Sequence, residues 1–122
     1  YAEYVWDGVA WRAWTTPWQA ITPAGGFTGG GSVGARLKSG VVVMRGHLSG
    51  TLPGVIATVI GTVPAGFRPA DDAYTYRMLA NANNAAQPVF GFVTTVGEIR
   101  VYASAAGAAV IGIGGLSGYS TD

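Results

Sequence analysis

Apolar and polar residues alternate along most of this chain with the two-residue period of β-strands, and no segment keeps a helical period beyond about two turns. The longest apolar runs lie at residues 41–44 and 55–63, and both are rich in β-branched residues and bounded by glycine or proline. The stretch 37–69 therefore predicts two adjoining strands, around which the rest of the chain is organised.

A Ser39-Gly40 turn precedes the first of these runs and predicts a hairpin with residues 35–38 as its first strand. The side chains of its second strand divide between two faces, because successive residues of a strand point to opposite sides. The fully apolar face carries Val42, Met44, Gly46 and Leu48.

His47 is the only histidine and lies on the other face of that strand, together with Arg45. No acidic residue or cysteine stands at metal-ligand spacing from it. We interpret His47 as a satisfied strand residue in preference to a ligand or base.

The N-terminal segment reads as another hairpin, because Asp7-Gly8 favours a tight type I′ turn between two apolar runs. Trp6 and Trp11 would then lie near one another across the strands. Residues 1–20 are predicted to form a Trp-rich hairpin or arm. Its tryptophans either staple the hairpin to the body or to neighbouring subunits, or form a platform on which a ligand stacks.

A glycine-rich connection follows at residues 21–34 and contains G-x-G-x-x-G at Gly29, Gly31 and Gly34. A dinucleotide-binding fingerprint needs an apolar strand before it and a helix after it, and both are missing. We predict a flexible surface loop here.

Further strands are predicted at residues 74–80, 88–95, 98–103 and 108–118, separated by short turns. In the 98–103 strand, Ile99 and Val101 should face the core while Glu98, Arg100 and Tyr102 face outward. The predicted fold is one all-β domain, an antiparallel β-sandwich or Greek-key barrel.

The composition indicates a domain that associates with copies of itself and does not stay monomeric. Charged residues make up 11% of the 122 residues and hydrophobic residues 49%, with four Trp, six Tyr and four Phe. So few charges cover a monomer poorly, and large aromatic residues are typical of interfaces and sugar sites. The alternative is that Ala and Gly inflate the apolar count without creating adhesive surface.

Other partners and chemistries are disfavoured. The seven basic residues are scattered, unlike a nucleic-acid-binding face, and no apolar run has the length of a membrane span. Cysteine is absent, no serine triad can be assembled, and neither a cofactor nor a metal is predicted, although an ion on an oligomer axis stays open. A glycosidase would need Glu98 with Asp71 or Asp72, so we expect no enzymatic activity.

Several segments carry a resemblance to a known family. They are YVWDGVAW at residues 4–11, VVMRG at 42–46, VPAGFRP at 63–69, and the V-x-x-x-G-x-I-x-V spacing of 93–101. Across about residues 4–116 the chain resembles the C-terminal head domain of tail fibres and receptor-binding proteins of tailed bacteriophages. Val63 stands where that family more often has leucine.

The resemblance implies a homotrimeric head at a fibre tip on the virion, which binds host cell-surface glycans without catalysis. Residues 1–20 would lead in from a longer fibre or baseplate protein, and residues 21–122 would form the head. One alternative is a trimerisation cap or other virion domain that binds no ligand. A second is a fragment of a glycan-degrading tailspike.

In a glycan site, aromatic rings would stack on sugars, and Arg, Asp and Asn side chains would orient the hydroxyl groups. The candidates are chosen by residue type and expected exposure. They are Trp11, Trp14, Trp18, Arg45, His47, Asp71, Asp72, Tyr74 and Tyr76.

Overall fold

A computed structural model of the chain describes residues 3–54, 56–70, 77–81 and 88–121. Within these ranges the protein is all-β and its strands pair antiparallel, as predicted. Two short 3-10 turns, Ala65–Phe67 and Gly114–Leu116, interrupt the strands.

The strands are numbered in chain order. They are β1 (Glu3–Trp6), β2 (Trp11–Thr15), β3 (Gln19–Ala20), β4 (Thr22–Pro23), β5 (Thr28–Lys38), β6 (Val41–Leu52), β7 (Thr58–Thr62), β8 (Arg77–Asn81), β9 (Val89–Val93), β10 (Glu98–Ala103), β11 (Gly107–Gly112) and β12 (Tyr119–Ser120).

Strands β3 to β12 form one ten-stranded sheet, here called the body. Its order is β3-β5-β6-β11-β8-β9-β10-β7-β4, with β12 paired to β6. Only Ile21 separates β3 from β4 in the chain, so the two end strands of this order lie near each other. Strand β8 joins β11 on one side to β9 on the other.

The core fills the interior of the body with alternate side chains of the strands. Ile99 and Val101 in β10 are fully buried, whereas their neighbours in the strand are half-exposed, which confirms the predicted faces. The predicted apolar face of β6 is likewise confirmed. Its buried residues are Val42, Met44 and Leu48.

The P-A-G-F corner at residues 64–67 closes one part of this core. Phe67 is buried, and its carbonyl accepts a hydrogen bond from the Tyr119 hydroxyl. Burial raises the pKa of Tyr119, so this hydroxyl stays protonated and remains a donor.

The predicted hairpin at Ser39-Gly40 is confirmed and joins β5 to β6. Both turn residues have positive φ, 51° for Ser39 and 79° for Gly40, as a type I′ turn requires. The two-residue turn fixes the register, in which Lys38 pairs with Val41 and Arg36 with Val43.

The prediction of a flexible loop over residues 21–34 is wrong, because β5 begins at Thr28 and Gly30 pairs with His47. A Cβ at Gly30 would lie 2.3 Å from Nε2 of His47, so the imidazole ring occupies the space that a side chain would need. The glycines here allow close packing of strand on ring, and a bulge lies between Gly30 and Gly34.

The limits of other elements also differ from the predicted ones. The 55–63 strand is shorter than predicted, with β7 at Thr58–Thr62. At the N-terminus the separate two-stranded sheet ends at Thr15, and β3 already belongs to the body. Of the predicted 74–80 strand, residues 74–76 lie outside the described residues, and β8 covers Arg77–Asn81.

Gly46 provides a test of the close packing between β5 and β6. Its φ is +90°, and an added Cβ would lie 2.5 Å from Val33 Cα. We expect Gly46→Ala to lower the free energy of unfolding by at least about 2 kcal/mol, measured by urea denaturation. Gly66→Ala is the control, because a Cβ there meets nothing within 4 Å. Equal effects of the two changes would contradict this account of β5.

Candidate binding site

Residues 3–15 form a separate hairpin of strands β1 and β2, here called the aromatic hairpin. Its large apolar side chains are between 40% and 86% exposed. They are Tyr4, Val5, Trp6, Val9, Trp11 and Trp14. The other exposed large apolar residues of the described ranges lie on the body, at Val41, Ile56, Phe90 and Val96. A concentrated apolar patch of this kind marks an interaction surface.

Trp6 and Trp11 face each other across the two strands, as predicted. They are register partners, and their ring centroids lie 5.5 Å apart at an interplanar angle of 61°. Edge-to-face pairs of this geometry stabilise a hairpin beyond the area that they bury.

The turn of the hairpin differs from the predicted two-residue type I′ turn, because four residues, 7–10, connect the strands. Asp7 is responsible, since its Oδ1 accepts hydrogen bonds from the backbone N–H groups of Val9 and Ala10, both at 2.8 Å. An aspartate that bonds to the backbone in this way favours a longer turn. Only Gly8 has positive φ in this loop.

The carboxylate of Asp7 is held in its charged form. The N–H group of Ala10 contributes most, followed by the Arg12 guanidinium, which forms an ion pair with it, and the N–H group of Val9. Together they lower the pKa of Asp7 from 3.8 to about 2.

The aromatic hairpin docks on the body at the β5–β6 turn. The carbonyl of Trp14 accepts a hydrogen bond from the Gly40 N–H at 2.8 Å, and the Thr16 N–H donates to the Leu37 carbonyl at 3.0 Å. The Trp14 ring lies on Gly40, where an added Cβ would come within 2.7 Å of it. Trp14 is therefore an anchor between hairpin and body, although the residue as a whole is 41% exposed.

A cavity of about 470 Å³ lies where the hairpin meets the body. Its walls include Val5, Trp14, Leu37 and Val41. Residues of both the hairpin and the body line the cavity, and its surface is mainly apolar.

A second surface lies on the body around Trp18, directly before β3. The guanidinium carbons of Arg36 and Arg45 lie 5.0 Å and 4.1 Å from the centroid of the Trp18 ring. Cations at these distances are attracted to an indole face. We call Trp18, Arg36 and Arg45 the Trp18 cluster.

The Trp18 cluster borders a groove of about 190 Å³. Its lining residues are Trp18, Gln19, Ala20, Ser32, Val33, Gly34 and Arg45. The bulge of β5 builds one wall, where Ser32 has a φ of +54° and its carbonyl accepts a hydrogen bond from Arg45 Nε at 3.0 Å.

The positive charge of the cluster is uncompensated within the described ranges. Neither Arg36 nor Arg45 forms an ion pair with a carboxylate there. The Nε of Arg36 is also buried, with no hydrogen-bond partner in the same part of the chain. Buried polar atoms are rarely left without a hydrogen-bond partner, so Arg36 is unusual among the described residues.

The predicted site residues separate into distinct places. Trp18 and Arg45 come together, Trp11 and Trp14 lie on the aromatic hairpin, and the His47 ring packs on Gly30. The remaining candidates lie outside the described residues, namely Asp71, Asp72, Tyr74 and Tyr76.

Sequence reasoning missed Arg36, although a signal for it was present. The type I′ turn at Ser39-Gly40 pairs Arg36 with Val43 and Gly34 with Arg45. These neighbouring pairs share one face, so the hairpin register alone places the two arginines side by side.

No protein-family model matches this chain, and no curated protein or solved structure matches it either. Among the described residues, no group of three or more His, Cys, Asp or Glu side chains is arranged to hold a metal ion. The same residues include no helix with the length and hydrophobicity needed to cross a membrane.

The Asp7 interactions predict an acid transition confined to the aromatic hairpin. Because the pKa of Asp7 is lower in the folded hairpin than its ordinary value, its stabilisation is complete above about pH 4 and is lost as the pH falls through about 2. Amide chemical shifts of Val9 and Ala10, followed by NMR, should report a midpoint near pH 2. Asp7→Asn should remove this transition. A wild-type midpoint near 3.8 would contradict the prediction.

Proposed function

We propose that this chain is the non-catalytic receptor-binding head domain of a bacteriophage tail fibre, which assembles as a homotrimer and binds host cell-surface glycans. The observation that carries the proposal is the Trp18 cluster beside its groove, on the surface of the body. The resemblance of residues 42–46 and 63–69 to that family supports the same role.

The groove has the ingredients of a small sugar site. It combines an indole ring, a guanidinium, a serine and a backbone carbonyl within one concave surface. Sugar sites use an apolar ring for the carbohydrate face and a few polar groups for its hydroxyls. Because these groups stand on or beside strands, they hold their positions before a ligand arrives.

The aromatic hairpin supports the homotrimer. Strand β1 is exposed along its whole length, and in its two-stranded sheet one edge has no partner strand among the described residues. An exposed edge with large apolar side chains is a template for association. Equivalent hairpins of three subunits would cover one another, and the chain before them would lead to the fibre or baseplate protein on the virion.

A second candidate function is a trimerisation cap that binds no ligand. The observation that favours it is the concentration of exposed apolar side chains on the aromatic hairpin, which self-association alone would explain. Asp71, Asp72, Tyr74 and Tyr76 stay predicted glycan contacts under the first proposal and have no role under this one.

We expect the domain to have three times its 12.5 kDa chain mass when measured by light scattering in solution. Replacing both Trp6 and Trp11 by serine should shift it to the monomer without loss of the β circular dichroism signal, since neither side chain lies in the core. Val96→Ser is the control, because Val96 is 57% exposed but lies outside the hairpin. A monomeric wild type would refute the assembly.

Glycan arrays and adsorption of the labelled trimer to bacterial cells test the binding role. Binding that is lost in Trp18→Ala, with unchanged mass, would support the receptor-binding proposal. A trimer that adsorbs to no cell while its parent particle still adsorbs would favour the cap. Shortened glycans after incubation, detected by mass spectrometry, would show a degrading enzyme and contradict a non-catalytic role.

A further inference from the structure

We propose that the Trp18 cluster selects glycans that carry an anionic group, a carboxylate or a phosphate. The inference rests on the proposed glycan-binding function and names the class of sugar. It starts from the charge of the cluster, because two guanidiniums within 5.0 Å of one ring repel each other and no described carboxylate compensates them.

The indole ring of Trp18 explains how the two cations are held, and it leaves their charge unneutralised. Cation–π attraction stabilises each guanidinium against the ring without supplying a hydrogen-bond acceptor. An oxyanion in the groove would reduce their repulsion and accept hydrogen bonds from Arg45. A neutral sugar would accept such hydrogen bonds only weakly, and it would not reduce the repulsion between the two cations.

The donors available to such an anion are identifiable. Ser32 accepts from Arg45 Nε, which fixes the guanidinium plane and leaves its two terminal nitrogens without a partner among the described residues. Arg36 does not line the groove and its Nε is buried, so its contribution is the positive charge that it adds beside the groove. Planar guanidiniums bind carboxylate and phosphate with paired hydrogen bonds, which is why they suit these groups better than hydroxyls.

The size of the groove agrees with a single charged sugar unit. Its volume of about 190 Å³ lies below the roughly 300–1,000 Å³ that is usual for drug-sized ligands. The groove is open to solvent, and Arg45 is exposed, so a terminal sugar of a surface polysaccharide could enter without rearrangement of the body.

The test is an NMR titration of the 15N-labelled trimer with three oligosaccharides of equal length: one with glucuronate, one with a phosphorylated sugar and one neutral. The Trp18 indole N–H signal, assigned with Trp18→Phe, is the local readout. We expect both anionic probes, or one of them, to bind at least about tenfold more tightly than the neutral one. Whichever anionic arm responds identifies the carboxylate or the phosphate.

Arg45→Gln should weaken anionic binding at least about tenfold, because it removes a charged donor, and should leave neutral binding within about twofold. Arg36→Gln removes the second positive charge. Arg36→Lys keeps that charge but removes the planar guanidinium, and it replaces Arg36→Gln in the test if Arg36→Gln does not fold. Arg68→Gln is the matched control, since it removes the same charge from an exposed position beside the Gly97 turn. It should leave all three affinities unchanged.

Equal affinity for neutral and anionic probes, or anionic binding that survives Arg45→Gln, would overturn the inference and leave the receptor-binding proposal standing. No Trp18 response to either anionic probe would overturn it as well. Adsorption of the same preparation to cells then decides the proposed function separately.

Discussion

The type I′ turn at Ser39-Gly40 is the constraint on which the rest of the structure depends. Its two positive φ values leave one register for β5 and β6, and that register sends Val42, Met44 and Leu48 to the core. The same register sets the arginines of the Trp18 cluster side by side on the outer face. The N–H group of Gly40 also bonds to the Trp14 carbonyl and so anchors the aromatic hairpin. A slip of one residue would exchange the core and outer faces and dismantle both surfaces together.

Features set by near neighbours in the chain could be predicted from sequence, including the Ser39-Gly40 turn, the faces of β6 and β10, and the Trp6–Trp11 pair. Features set by distant contacts could not. The glycines of β5 read as flexible because their partner, the His47 ring, is visible only after the strands pair. Trp18 meets its arginines through the pairing of β3 with β5, for which no local signal exists. The prediction of a two-residue turn at Asp7-Gly8 was wrong for another reason. The hydrogen bonds of the Asp7 side chain to the backbone outweigh the preference of Asp-Gly for a type I′ turn.

Glycine has one physical role in several places of this protein. Gly30 lies under His47, Gly40 under Trp14 and Gly50 under Phe27, so a ring covers each glycine. An aromatic or imidazole ring that packs on a glycine fills the place of the missing side chain and buries apolar area. This packing offsets the low stability that glycine gives to a strand. Gly30 and Gly50 lie in strands of the body, so these contacts help glycine-containing strands to pack. The packing also accounts for a part of the aromatic content that composition alone assigned to self-association.

The remaining aromatic surface divides by chemistry into two regions. On the aromatic hairpin, rings stand among apolar neighbours, and the charge of Arg12 is neutralised by Asp7. Around Trp18 the ring stands among cations that no described carboxylate neutralises. An apolar surface with compensated charge loses little when another apolar surface covers it, whereas burying uncompensated guanidiniums against a like subunit would be costly. Self-association is therefore expected at the hairpin, and the Trp18 cluster is expected to remain open to solvent, where a charged ligand can reach it.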